Sequence, residues 1–116
     1  MPSFTFVSTA SAVARTGAEP VFVDVDPQTL NIDPACITPG HTSQTRAIIP
    51  VHYAGVGCPM EAINELADQH RLVVIEDAAQ GLGASYAGWP LGAHGQLAAF
   101  SFHHTKNISC GEGGAL

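Results

Sequence analysis

The chain has 116 residues, of which 46% are hydrophobic and only 12% are charged, and its formal net charge is −6. This length suits one small domain, and an acidic chain without a basic cluster is not expected to bind nucleic acid. No apolar run approaches the roughly 18 residues that a membrane span needs, so we expect no membrane partner. The three cysteines are odd in number and irregular in spacing, which is typical of reduced thiols in the cytoplasm.

The first half of the chain predicts one helix and two apolar strands. Residues 4–16 are apolar or small and are followed by Gly17, which suits the left-handed position after a helix. Residues 20–25 and 46–51 are rich in β-branched side chains and predict buried strands. Turn-forming residues between these strands predict a link that contains one helical turn around residues 35–37.

An amphipathic helix and a third strand are predicted next. Apolar side chains recur at spacings of three and four from Met60 to His70, and Pro59 suits the first helical position. Residues 72–75 then form an apolar strand. The order strand, link, strand, helix, strand predicts an α/β fold with a mostly parallel sheet covered by helices on both faces.

Polar residues follow the third strand directly. In parallel sheets the ligand lies beyond the carboxyl ends of the strands, and Glu76 and Asp77 stand at that end. If a helical turn begins here, Asp77 and Gln80 lie three residues apart and face the same way. Asp77 could instead cap a helix, and we expect Glu76 to make a structural hydrogen bond or a solvent contact.

The last third of the chain contains its only lysine, Lys106. Residues 84–95 predict a surface hairpin and residues 97–102 a strand, on which Ser101 and His103 share one side. A lone lysine beside a glycine-rich turn is a candidate for amine chemistry, because a deprotonated amine forms a Schiff base with a carbonyl or with pyridoxal phosphate. An ordinary surface lysine is the alternative.

Several motifs resemble those of the DegT/StrS group of nucleotide-sugar aminotransferases, which are pyridoxal-phosphate enzymes of the aspartate aminotransferase (type I) fold. The likeness runs through SFTFVSTA, VFVDVDPQTLNID, AIIPVHYAG, EDAAQGLGASYAGWPLG and FSFHHTKNISCGEGGAL. Within the group, the chain is most similar to the dTDP-4-amino-4,6-dideoxygalactose transaminases. The resemblance implies that residues 1–116 are part of the cofactor-binding large domain, without the N-terminal phosphate loop and the C-terminal small domain.

The resemblance also implies a role for each matching residue. Lys106 would hold pyridoxal phosphate as a Schiff base and carry the reaction's proton, and Asp77 would pair with the pyridine nitrogen. Gln80 would lie beside the cofactor ring, and Ser101 would bind the cofactor phosphate. Phe6 would stack on the ring, which replaces the core position that its sequence context alone suggests.

The implied reaction moves an amino group from glutamate to a nucleotide-linked keto sugar, dTDP-4-keto-6-deoxyglucose, in a cytoplasmic homodimer. A catalytically silent truncated chain is one alternative. Another is a family member that aminates a 3-keto sugar or an aminocyclitol or aminohydroxybenzoate precursor. A zinc site is disfavoured, because the spacing of its candidate ligands matches no usual pattern; these are His94, His103, His104 and Cys110.

Overall fold

The computed structural model describes all 116 residues and contains three α-helices and six short strands. The helices are α1 (Val7–Arg15), α2 (Ile37–Gly40) and α3 (Met60–His70), and the strands are β1 (Ala47–Ile48), β2 (Val73–Asp77), β3 (Ser85–Tyr86), β4 (Trp89–Pro90), β5 (Leu97–Ser101) and β6 (Gly114–Ala115). Short 3-10 helices span Pro34–Cys36 and Tyr53–Gly55. No helix has the length and apolar character that crossing a bilayer requires.

Four strands form one sheet in the order β1, β2, β5, β6. The first three are parallel, while β6 pairs antiparallel to β5. The remaining strands, β3 and β4, form a separate antiparallel hairpin. The structure therefore confirms the predicted α/β fold with a mostly parallel sheet, and it confirms the hairpin within residues 84–95.

Helix α3 forms the core with one face of the sheet. It begins and ends at the predicted residues, although Pro59 is the N-cap and not the first helical residue. The core cluster comprises Ile32, Ile37, Ile48, Cys58, Met60, Ile63, Ala67, Leu72 and Val74. On the other face of the sheet, α1 reaches Asp77 through Thr9, while Val73 and Leu97 are exposed.

Residues 20–25 do not form the predicted buried strand. Only isolated bridges occur there, from Val23 to Pro2 and from Val25 to Ile32, and Phe22 is exposed. A continuous ladder needs a neighbouring strand along its whole length, and this segment has none.

The second predicted strand, at residues 46–51, is also shorter than expected. Its regular ladder ends at Ile48, just before Pro50. Proline cannot donate a ladder hydrogen bond, so pairing resumes only as a bridge between Val51 and Asp77.

A buried carboxylate joins the loop after the hairpin to the end of β2. Glu76 has 0% of its surface exposed. Its two oxygens accept four hydrogen bonds of 2.6 to 2.8 Å, from the backbone amides of Gly92, His94 and Gly95 and from Nε2 of His52. Glu76 therefore makes the structural hydrogen bonds that the sequence suggested, and these bonds fix the carboxyl end of β2.

The charge of Glu76 follows from its donors. Burial alone would raise its pKa, but the hydrogen bonds from His52 and the three amides outweigh burial and lower the pKa to about 2. The amide of Cys58 donates to Nδ1 of His52 over 3.1 Å, so the proton of the neutral ring is assigned to Nε2, which faces Glu76. A buried anion is thus held entirely by neutral donors.

We predict that Glu76→Gln lowers the free energy of unfolding by about 3 kcal/mol. The glutamine amide would turn its NH₂ toward a backbone N–H or toward Nε2 of His52, which leaves two buried donors facing each other. Urea denaturation followed by circular dichroism measures this difference, with the exposed Glu65→Gln on α3 as the matched control.

The pH dependence gives the same prediction a distinct signature. Because the pKa of Glu76 is lowered on folding, its contribution is complete above its ordinary value of 4.5 and is lost as the pH falls toward about 2. The stability gap between wild type and Glu76→Gln should be constant from pH 5 to 7 and shrink below pH 4.5. A gap that is unchanged at pH 3, or no larger than that of Glu65→Gln, would contradict this account.

Candidate functional site

An open cleft of about 650 Å³ lies at the carboxyl-terminal edge of the sheet. It is bounded by the turn at residues 54–55, by the segment after β2 (Gln80 and residues 82–84) and by residues 105–107, after β5. The cleft thus lies where ligands bind in parallel α/β sheets. Two of the residues singled out from the sequence, Gln80 and Lys106, line it.

Lys106 is held in place by its backbone and not by its side chain. Its amide donates to the carbonyl of His103 over 2.9 Å, and the ring of His103 hydrogen-bonds the Thr105 hydroxyl at 2.8 Å. The amide group of Asn107 donates to the carbonyl of Leu82 across the cleft. The chain's two salt bridges involve other residues, so the half-buried Lys106 amine has no ion-pair partner.

Gln80 fixes the opposite wall of the cleft. Its side-chain carbonyl accepts the Ala54 amide over 2.6 Å, which leaves the NH₂ group of Gln80 without a partner in the chain. Ala54 has a left-handed backbone with φ of 53°, an unfavourable conformation for a residue with a Cβ. Gly55 has a φ of 76°, and a Cβ on it would lie 3.0 Å from the backbone carbonyl oxygen of Gln80, so this position favours glycine.

Asp77 ends β2 and has a donor on each carboxylate oxygen. Oδ1 accepts the amide of Ala79 at 3.1 Å, as a capping residue does, and Oδ2 accepts the Thr9 hydroxyl at 2.7 Å. Gln80 lies in the turn that directly follows β2, which the bond from the Gly81 amide to the Ala78 carbonyl closes. One oxygen of Asp77 therefore caps the turn that follows β2, and the other is held from α1.

Phe6 is exposed and does not take the core position that its sequence context suggested. It is the N-cap residue of α1 and 71% of its surface is exposed. Its carbonyl accepts the amide of Thr9, and Thr9 in turn contacts Asp77. Phe6 therefore belongs to the helical turn that is tied to the Asp77 carboxylate.

Sequence reasoning missed Thr9. Threonine at this position has no apolar stripe around it and no motif spacing to Asp77, which is 68 residues away. The signal that could have found it is its place inside the motif SFTFVSTA, which spans residues 3–10.

Ser101 is the last residue of β5 and lies apart from the cleft lining. Asp77 on β2 stands opposite Ala99, so Ser101 lies two residues beyond it at the same edge of the sheet. Its hydroxyl oxygen accepts the amide of His103 at 3.4 Å, at the start of the segment that carries Lys106.

The disfavoured zinc ligands are not brought together as one set. His103 and His104 come within 4.8 Å of Glu112 on the surface, where Cys110 is not part of the group. His94 lies elsewhere, with its ring packed edge-on against Tyr86 at 5.8 Å.

The whole chain matches a known protein family. Residues 1–116 match the DegT/DnrJ/EryC1/StrS aminotransferase family. The chain is 53% identical over 115 residues to a pleiotropic regulatory protein of Geobacillus stearothermophilus, covering 98% of this chain and 31% of that protein. It is 47% identical over 112 residues to the spore coat polysaccharide biosynthesis protein SpsC of Bacillus subtilis strain 168, covering 97% and 29%. The chain thus spans about three tenths of these curated relatives.

Solved structures share the fold closely. DesI, crystallised in the presence of its TDP-sugar product, has a TM-score of 0.95 at 41% identity over 98% of this chain and 29% of DesI. 3-Amino-5-hydroxybenzoic acid synthase has a TM-score of 0.94 at 39% identity, over 97% and 29%. NtdA from Bacillus subtilis, with bound cofactor PMP, has a TM-score of 0.91 at 39% identity, over 98% and 26%.

The fold, the cleft that holds the single lysine and the match over the full length agree. The chain belongs to the DegT/DnrJ/EryC1/StrS aminotransferase family, whose members depend on pyridoxal phosphate.

Proposed function

We propose that the protein uses pyridoxal phosphate to transfer an amino group to a keto sugar carried on a nucleotide. The observation that carries this proposal is the position of Lys106. The only lysine of the chain lines the cleft opposite Gln80, and Gln80 lies in the turn that directly follows Asp77. The family match supports the chemistry, and this arrangement supports our proposal of which side chains perform it.

The residues present fit each part of the cofactor. An aldehyde needs an amine without a competing ion-pair partner, and Lys106 provides one. A pyridine nitrogen needs a fixed carboxylate, which Asp77 provides with a donor on each oxygen. The aromatic face needs a flat apolar partner, and the exposed Phe6 belongs to the turn bonded to Asp77. Ser101 offers a hydroxyl to the phosphate from the end of β5.

The proposed roles follow from elementary chemistry. When bound, pyridoxal phosphate supplies an electron sink that lets an amino group leave one carbon and join another. The Asp77 anion would hold a proton on the ring nitrogen, because an opposite charge favours the protonated form. Lys106 would bind the cofactor covalently and then move a proton at the substrate carbon as a general acid and base. Gln80 would offer its unpartnered NH₂ group to the cofactor.

The relatives support a nucleotide-linked sugar as the acceptor. DesI was crystallised with a TDP-sugar product, and SpsC takes its name from polysaccharide biosynthesis. The TDP-sugar product of DesI supports dTDP-4-keto-6-deoxyglucose as the proposed acceptor. We further propose glutamate as the donor and a cytoplasmic homodimer as the working unit. Because the relatives are about three times as long as this chain, we assign residues 1–116 to the cofactor-binding large domain. The phosphate loop and the small domain would then lie outside these residues.

A second candidate is amination of a different carbonyl. The likeness to 3-amino-5-hydroxybenzoic acid synthase favours it. The TM-score of that structure against this chain is 0.94, and the TM-score of DesI is 0.95. Residues 1–116 hold the candidate cofactor contacts, which the two reactions would share.

We predict that borohydride reduction in the presence of pyridoxal phosphate attaches the cofactor to Lys106. The adduct should be mapped by mass spectrometry and should be lost in Lys106→Ala. The only other amine is the N-terminus of Met1, whose pKa burial lowers, so it is a genuine competitor and an internal control. Equal labelling of Met1 and Lys106 would argue that Lys106 is an ordinary lysine.

We predict that Phe6→Ala weakens pyridoxal-phosphate binding by about threefold to tenfold, the usual worth of aromatic stacking. Phe22→Ala is the matched control, because Phe22 is 52% exposed but lines a separate groove beside Pro39 and Gly40. A spectrophotometric titration with the cofactor measures both variants. The same loss of affinity in both variants would mean that Phe6 acts through general surface packing.

The acceptor class is tested by donor and acceptor profiling of the protein. We expect amino transfer from glutamate to a TDP-linked 4-keto-6-deoxy sugar, and Lys106→Ala should lower its rate by at least about a hundredfold. Turnover of an aminohydroxybenzoate precursor with none of the sugar would favour the second candidate. Near-normal turnover by Lys106→Ala with either acceptor would refute the role of Lys106.

A further inference from the structure

Helix α1 is attached to the rest of the molecule in an unusual way. Its only buried residue is Thr9, which is polar and 8% exposed. The one hydrogen bond between α1 and the sheet runs from the Thr9 hydroxyl to Oδ2 of Asp77. Unlike the packing of apolar side chains, a hydrogen bond is directional, so this contact can fix the orientation of the carboxylate as well as the place of the helix.

The donors and acceptors of this contact can be assigned. A carboxylate oxygen only accepts, so Thr9 gives its single hydroxyl proton to Asp77 over 2.7 Å. The 2.8 Å contact between the Thr5 and Thr9 hydroxyls must then run from Thr5 to Thr9. With Ala79 on Oδ1, both oxygens of Asp77 are held from different segments, which fixes the plane of the carboxylate.

We infer that Thr9 is a positioning residue of the site. It orients the Asp77 carboxylate, and it holds the helical turn that contains Phe6 in a fixed place relative to that carboxylate. This inference rests on the proposed function, because it concerns the two residues that would meet the cofactor ring. The helical turn from Phe6 to Thr9 is closed by a backbone hydrogen bond. A change at Thr9 therefore reaches both the carboxylate and the aromatic side chain, although the Thr9 hydroxyl bonds only Asp77 and Thr5.

The test compares Thr9→Val, which keeps the side-chain shape and loses the hydroxyl, with Thr9→Ser, which keeps the hydroxyl. The probe is pyridoxal phosphate, and the readouts are its affinity from absorbance titration and the yield of borohydride adduct on Lys106. Thr9→Val should bind about tenfold more weakly, and Thr9→Ser should stay within about twofold of wild type. Thr5→Val should weaken cofactor binding less than Thr9→Val does, because the bond from Thr9 to Asp77 remains in the Thr5 variant.

A double variant separates positioning from general destabilisation. If Thr9 acts through Asp77, the loss of affinity in the double variant Thr9→Val, Asp77→Asn should be clearly smaller than the sum of the two single losses. Additive losses would overturn the inference, because a merely structural residue lowers affinity independently of Asp77. Should Thr9→Val fail to fold by circular dichroism, Thr9→Ala removes the same hydroxyl without placing a methyl group against the carboxylate.

The outcomes also separate this inference from the proposed function. If wild type binds the cofactor and Thr9→Val binds it equally well, the role of Thr9 is refuted. The proposed roles of Lys106 and Asp77 are not affected by that result. Wild type that takes up no cofactor would count against the proposed function, and the role of Thr9 would fall with it. Loss in Thr9→Val with recovery in Thr9→Ser would support both.

Discussion

The buried carboxylate of Glu76 is the interaction on which the site depends. An anion with no exposed surface is stable only when donors surround it, and Glu76 collects them from residues 92–95 and from His52. Those two segments flank the carboxyl end of β2. The donors that keep Glu76 ionised therefore also fix the point at which Asp77 leaves the sheet.

Strand geometry gives these two neighbouring acids different surroundings. Successive side chains of a strand point to opposite faces, so Glu76 enters the interior while Asp77 turns toward α1. The Glu76 carboxylate accepts four hydrogen bonds from neutral donors, so its role is structural. The other holds one donor on each oxygen and keeps capacity for a further partner. Exchanging the two acids by a one-residue slip in register would destroy both arrangements.

Local signals in the sequence predicted much of this structure. The spacing of apolar residues gave α3, and the uninterrupted apolar run of β2 indicated a parallel sheet whose polar edge holds Asp77 and Gln80. The role of Thr9 could not be predicted this way, because the contact joins residues 68 positions apart and threonine has no periodic signature. The strand expected at residues 20–25 failed for a similar reason, since a strand exists only if a partner lies beside it.

The attachment of α1 implies that cofactor binding and helix stability are linked. A helix of nine residues is marginal in isolation, and the only apolar side chains of α1 that are partly buried are Ala10 and Val13. Its tie to the sheet is one charge-assisted hydrogen bond, which is worth roughly 1.5 to 3 kcal/mol. A ligand that pairs with Asp77 and packs on Phe6 would add contacts only when α1 is in place. The two effects are linked. The free energy by which such a ligand stabilises the ordered helix equals the free energy by which the ordered helix strengthens ligand binding.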